Sequence, residues 1–205
     1  VLLGLGGGTY GLWQTGIFDP VEVDVPQGEV DPPPDAPATP TPPNVILAEA
    51  LPDCAHAALV PSGPNRGSVE GFAGDLAVLD GLSDRLAEAT GEARDQIDRA
   101  VAPGQCAALD LARAVALAGA EPLGLALDAE MVESGAPIGG VLSGAEDRNV
   151  WFVLVSPAGG VYDLTGRLDP GEAERPFGFA LNLGAQEPVT QLLMAVATDN
   201  PLVTA

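Results

Sequence analysis

The chain has 205 residues, 46% of them hydrophobic, and a formal charge of −21 at pH 7. All eight basic residues are Arg against 29 acids, which excludes the basic footprint of a nucleic-acid binder and sets the chain against an anionic membrane surface. The length allows one or two small domains with an ordinary hydrophobic core.

Val1 to Phe18 carry no charge. As a helix this stretch spans roughly 27 Å, close to the hydrocarbon thickness of a bilayer. Trp13 suits the interfacial aromatic belt. The expectation is the end of a transmembrane anchor; a signal-peptide remnant and an ordinary buried segment are the alternatives. Residues 19–43 then hold nine prolines, from Pro20 to Pro43, and the acids Asp19, Glu22, Asp24, Glu29, Asp31 and Asp35 without a base. Proline fixes φ and removes a donor, so an extended acidic linker is expected, reaching at most about 75 Å. The first positive residue of the chain is Arg66.

From Asn44 to Ala118 the pattern predicts a small α+β domain. Val45 to Ala50 reads as a short helix and His56 to Val60 as a strand. Pro61 to Gly67 is dense in turn residues, and Ser68 to Phe72 reads as the returning strand. After Gly74-Asp75, Leu76, Leu79, Leu82 and Leu86 recur at helical spacing, predicting one helix from Leu76 to Ala89 that ends at Gly91. Arg94 to Val101 reads as a third strand with Ile97, Arg99 and Val101 on one face. Pro103-Gly104 breaks the chain before a last helix, Gln105 to Ala118. The order is αββαβα. With the Gly-rimmed strand Gly67-Ser-Val-Glu-Gly-Phe-Ala-Gly74 and the packed helix after it, this segment resembles the BON family of bacterial envelope domains over about 55 residues. The resemblance implies envelope association or protein contact and carries over no catalytic residue. The Cys pair and the helix after Pro103 are not general features of that family.

From about residue 119 the pattern becomes all-β. Leu123 to Met131 alternates, placing Leu125, Leu127, Ala129 and Met131 on one face and Asp128 and Glu130 on the other. Ile138 to Leu142 is a short strand. Asn149 to Ser156 is the strongest strand in the chain, apolar enough to be covered on both faces. Pro157 to Gly160 is a turn, so Val161 to Leu164 returns as its hairpin partner, with the Tyr162 ring over apolar neighbours. Phe177 to Leu181 alternates, and Glu187 to Ala197 suits either a strand or an amphipathic helix. Six or seven short strands predict an antiparallel, sandwich-like domain over 119–205. The strand ending in Pro157-Ala-Gly-Gly160, the Val161-Tyr-Asp-Leu164 return and the closing run Val189 to Leu202 resemble the DUF4384 type of β-domain over about 80 residues. Leu164 to Pro170 departs from that family's usual Leu-Pro-Asn segment. The two resemblances together are similar to the periplasmic tails of membrane serine/threonine kinases of alphaproteobacteria, which implies a kinase domain upstream.

The residues that carry chemistry are few. Cys54 and Cys106 are an even pair, which in an exported protein invites a disulfide; two buried free thiols are the alternative. Asp53, Cys54 and His56 are close in sequence, but two Cys and one His fall short of a four-ligand zinc site. A Cys54–His56 nucleophile pair needs a thiol that a disulfide would consume, and His56 is read as a strand residue on an outer face. Asp128 with Glu130 could serve as a glycosidase pair, and Glu146-Asp147 as a weak calcium site, but both read as solvated surface. No serine sits in a nucleophile elbow. Gly4-Leu-Gly6-Gly-Gly8 is similar to a dinucleotide loop but lacks the strand, helix and acid that such a loop needs. No catalytic, cofactor-binding or metal residue is assigned. The expected function is a non-catalytic extracytoplasmic sensor or interaction region of a membrane-anchored bacterial signalling protein. No cofactor is expected, and the partner is an envelope protein or a small ligand. The folded part is placed in the periplasm, held to the inner membrane by the anchor. An envelope scaffold is the alternative, and a hydrolase a more distant one.

Overall fold

A computed structural model describes residues 40–169, 173–183 and 188–200. The predicted anchor over 1–18, the linker up to Thr39 and the closing Pro201-Leu202 step lie outside the described residues. Pro40–Ala205 is one compact unit. The fold is α+β, with mixed and antiparallel sheets.

The first helix, α1 (Pro43–Glu49), begins inside the segment expected as linker. Pro43 sits in its first turn, where a missing N–H costs nothing. Strands β1 (Ala55–Leu59) and β2 (Val69–Ala73) form the predicted hairpin. Strand β3 (Gln96–Ala100) joins β2 in parallel, giving a mixed sheet of order β1-β2-β3. The single helix expected over 76–89 is instead two pieces. A 3₁₀ turn, Leu76–Leu79, is capped by the Asp75 carboxylate accepting from the Ala77 N–H at 3.1 Å. Then α2 (Leu82–Thr90) starts after Gly81, whose φ of +74° lies in the left-handed region that glycine reaches freely. The break lets Leu79, Leu82 and Leu86 enter one core while Leu76 stays exposed. Gly91 ends α2 as predicted, also with positive φ. A 3₁₀ turn at Pro103–Gln105 leads into α3 (Cys106–Leu117).

The β-rich half holds two three-stranded antiparallel sheets. One has the order β4 (Gly124–Leu127), β5 (Pro137–Ser143), β8 (Glu174–Ala180). The other has the order β7 (Val161–Asp163), β6 (Asn149–Val155), β9 (Leu192–Thr198). The last segment is therefore a strand, paired along the whole of β6. The predicted strand over 123–131 stops at Leu127, and Met131 is 93% exposed. The β4–β5 pairing ends at Leu127 opposite Gly140, with one further bond from the Asp128 N–H to Gly139 O, while Pro137 to Gly139 of β5 continue to pair with β8. Tyr162 does not lie over an apolar floor. It is 56% exposed, because β7 is a three-residue edge strand with every side chain toward solvent.

Three apolar contacts in series hold these layers. Leu47, Leu51, Ala55, Ala57, Val69, Ala73, Leu79, Leu82 and Leu86 form a core between the helices and one face of the mixed sheet. Val101 and Leu109 meet Val153, Val155 and Leu192 in a second core, with Phe72 and Trp151 at its margin. The other side of β6 turns Phe152 onto Phe177 of β8, ring centroids 4.8 Å apart. Alternation along β6 thus sends odd residues to one neighbour and even residues to another, which is why the run is apolar without interruption.

Candidate binding surface and the disulfide junction

Cys54 and Cys106 are bonded to each other, 52 residues apart in sequence. The bond fastens the α1–β1 connection to the start of α3. It is not the sole tie. The Cys54 N–H donates to the Asp110 carboxylate at 2.6 Å, although Cys54 has a left-handed φ of 59°. Arg113 Nε donates to the Ala48 carbonyl at 3.0 Å, and its guanidinium meets Asp53 at 3.4 Å. Positions 106, 110 and 113 recur at helical spacing, so one stripe of α3 grips residues 48–54. That spacing was legible in the sequence. The segment it grips was not.

Beside the bond, Gln105 is fully buried. Its Nε2 donates to the carbonyls of Val155 at 2.9 Å and Thr190 at 3.2 Å, while its Oε1 accepts from the Ala102 N–H at 3.0 Å. Gly104 packs so closely that a Cβ there would stand 2.5 Å from the Pro157 carbonyl oxygen. Here the helical half and the β-rich half are joined by hydrogen bonds as well as by apolar contact.

His56 does not lie on an open outer face. It pairs across the sheet with Phe72, on the face that the second core covers, and its Nδ1 is buried with no hydrogen-bond partner. Burial pushes its pKa down to about 4. The imidazole is therefore a buried neutral group, and the Cys54 sulfur that a Cys–His pair would need is held in the disulfide.

The polar surface lies along the β3 edge of the mixed sheet. Arg99 donates through Nε to Glu70 at 2.8 Å and through Nη2 to Glu130 at 2.7 Å. Burial works to lower the Arg99 pKa, but the two carboxylates more than offset it and hold the guanidinium charged. Asn65 Nδ2 also donates to Glu130, at 3.2 Å. Glu130, expected as plain solvated surface with Asp128, is thus the clasp between β3, the β1–β2 loop and the segment after β4. Asp128 itself is exposed, as are Glu146 and Asp147 in their turn. Among the described residues no group of three or more His, Cys, Asp or Glu side chains is placed to hold a metal ion.

Next to this clasp is an open depression of about 330 Å³, lined by the loop 64–68 and by Ala93, Arg94, Asp95 and Ile97. The loop is shaped by its own backbone. Gly67 N–H donates to the Val60 carbonyl at 2.8 Å, and Ser68 N–H to the Asn65 carbonyl at 3.1 Å. Gly67, at φ +88°, makes the reversal. Arg94 crosses from the α2–β3 loop, donating to the Gly67 carbonyl at 3.1 Å and pairing with Glu92. Its Nε is buried without a hydrogen-bond partner. Sequence reasoning passed over Arg66 and Arg94, although the sparsity of cations in so acidic a chain was the available signal.

Compared with known proteins, the chain matches no family model, no curated protein and no solved structure. Its class is therefore stated by its own architecture, an α+β unit closed by one disulfide. Among the described residues no helix is long and apolar enough to cross a membrane.

Proposed function

We propose that Pro40–Ala205 is a non-catalytic binding module working in an oxidising, extracytoplasmic compartment. The observation that carries this reading is the Cys54–Cys106 bond. Disulfides persist outside the reducing cytosol, and this one fastens segments far apart in sequence. The charge of −21 fits a module that stays in solution beside an anionic membrane. The resemblance of the segment order to BON-like and DUF4384-like envelope domains supports the same placement, as does the uncharged stretch at Val1 to Phe18 followed by a proline-rich spacer. In this reading the module is the sensor or interaction region of a membrane-anchored signalling protein, with a serine/threonine kinase as the cytoplasmic output. Occupancy of the module acts by gathering copies together rather than by a rigid push along the spacer.

The test is thiol trapping. Cells producing the full protein are quenched in acid and alkylated before and after reduction, and the protein is weighed by mass spectrometry. The expected result is no alkylation before reduction and two additions after it. Two alkylated thiols in freshly quenched material would overturn the placement.

A further inference from the structure

We infer that the depression between the β1–β2 loop and the α2–β3 loop is a site for a carboxylate monoanion, with Arg66 as its principal cation. The inference rests on the binding-module reading and gives it a ligand class. Cations are scarce in this chain, and most are already engaged. Arg94, Arg99 and Arg113 are ion-paired, and Arg148 and Arg175 are bound to backbone carbonyls. Arg66 is exposed, and among the described residues no hydrogen bond or ion pair holds its side chain; the same is true of the Arg85 and Arg167 side chains, but of these three only Arg66 lines the depression.

Arg94 is the second cation of the lining. Its anchors, Gly67 O and Glu92, fix the guanidinium at the edge of the depression. Its Nε is buried without an acceptor, an unfavourable state that an incoming oxygen can relieve after a small shift of the side chain. The backbone N–H groups of Arg66, Gly67 and Ser68 are spent on Gly63, Val60 and Asn65, so recognition falls to the side chains. The forked guanidinium matches a planar carboxylate in two parallel hydrogen bonds. Asp95 also lines the depression, and Glu92 neutralises part of Arg94. That balance suits a single negative charge and disfavours a phosphate dianion or a polyanion, which the −21 of the chain also repels. A peptide C-terminus and a sugar acid both present the required group.

The experiment is a titration of the full ¹⁵N-labelled chain by NMR. The probes are acetyl-trialanine with a free C-terminus and glucuronate, with acetyl-trialanine amide and glucose as neutral controls. Saturable shifts at the amides of Gly67, Ser68, Ala93 and Asp95 are expected with the acids and not with the controls. The tighter acid names the source. Arg66→Gln should weaken binding by about tenfold or more while the rest of the spectrum stays in place. Arg94→Gln also loosens Gly67, so Arg66→Gln is the deciding variant. No saturable shift, equal shifts from the neutral controls, or unchanged affinity in Arg66→Gln overturns the site. A failed titration with Cys54 and Cys106 still bonded removes the ligand and leaves the compartment reading; free thiols in cells with an intact titration do the reverse.

Discussion

His56 and Val153 show how much a single position depends on what covers it. Val153 is fully buried in the second core, so Val153→Asp places a carboxylate where no partner exists. Several kcal/mol of destabilisation are expected, enough to unfold most of the protein in a thermal melt. His56 gives a pH signature. Its folded pKa, about 4, is below the ordinary 6.5. Above pH 6.5 the imidazole is neutral in both states and costs nothing. As pH falls from 6.5 to about 4 the unfolded chain takes up a proton that the folded one refuses, and stability drops by about 3 kcal/mol. Denaturant melts at pH 7 and pH 4.5 should therefore differ less for His56→Gln than for the wild type. Equal slopes in the two proteins would show that the imidazole is not confined. The alternation of the sequence placed both residues on strands, but the outer face assigned to His56 was closed by residues from a distant part of the chain.

At the scale of elements, the junction around the Pro103–Gln105 turn is more demanding than the surface clasp. Gln105→Leu removes the donor for Val155 O and Thr190 O and the acceptor for Ala102 N–H. Each orphaned buried group costs about 1–3 kcal/mol, so a loss of several kcal/mol is expected by chemical denaturation. Gly104→Ala meets backbone rather than a yielding side chain, and about 1–3 kcal/mol is expected there. By contrast, Glu130 is 49% exposed on its side chain, and Glu130→Gln should cost less than about 1 kcal/mol despite its contacts with Arg99 and Asn65. The order Gln105→Leu above Glu130→Gln is the checkable content. Helix periodicity found α2 and α3 but ran α2 back to Leu76, because the leucine spacing continues across Asp80-Gly81 while the backbone does not. Alternation likewise ran β4 on to Met131, although the pairing with β5 stops at Leu127 and Glu130 turns to Arg99 instead.

For the molecule as a whole, the Cys54–Cys106 bond closes a loop of 52 residues in sequence separation. In the chain-entropy picture that stabilises the fold by about 4 kcal/mol. Cys54→Ser with Cys106→Ser should lower the denaturation midpoint accordingly, with activity-independent readout by fluorescence of Trp151. The second core spans both halves, so Pro40–Ala205 should melt in one transition, with helical circular dichroism and Trp151 fluorescence changing together. Two separated transitions would mean that the halves fold independently and that the shared core contributes little.

Local pattern by itself determined the α+β class, the αββαβα order, the β1–β2 hairpin, the β6–β7 hairpin and the apolar strand covered on both sides, because these rest on period and turn chemistry within a few residues. The cysteine count pointed to the bond, and the bond is present. Only the tertiary structure decided that β3 runs parallel to β2, that β9 pairs with β6, and that Gln105, Asp110 and Glu130 bond to segments distant in sequence. The same holds for the depression, where Arg66 and Arg94 come together from loops 28 residues apart. Such contacts depend on which distant backbone atoms arrive at a side chain, and neither propensity nor spacing carries that information.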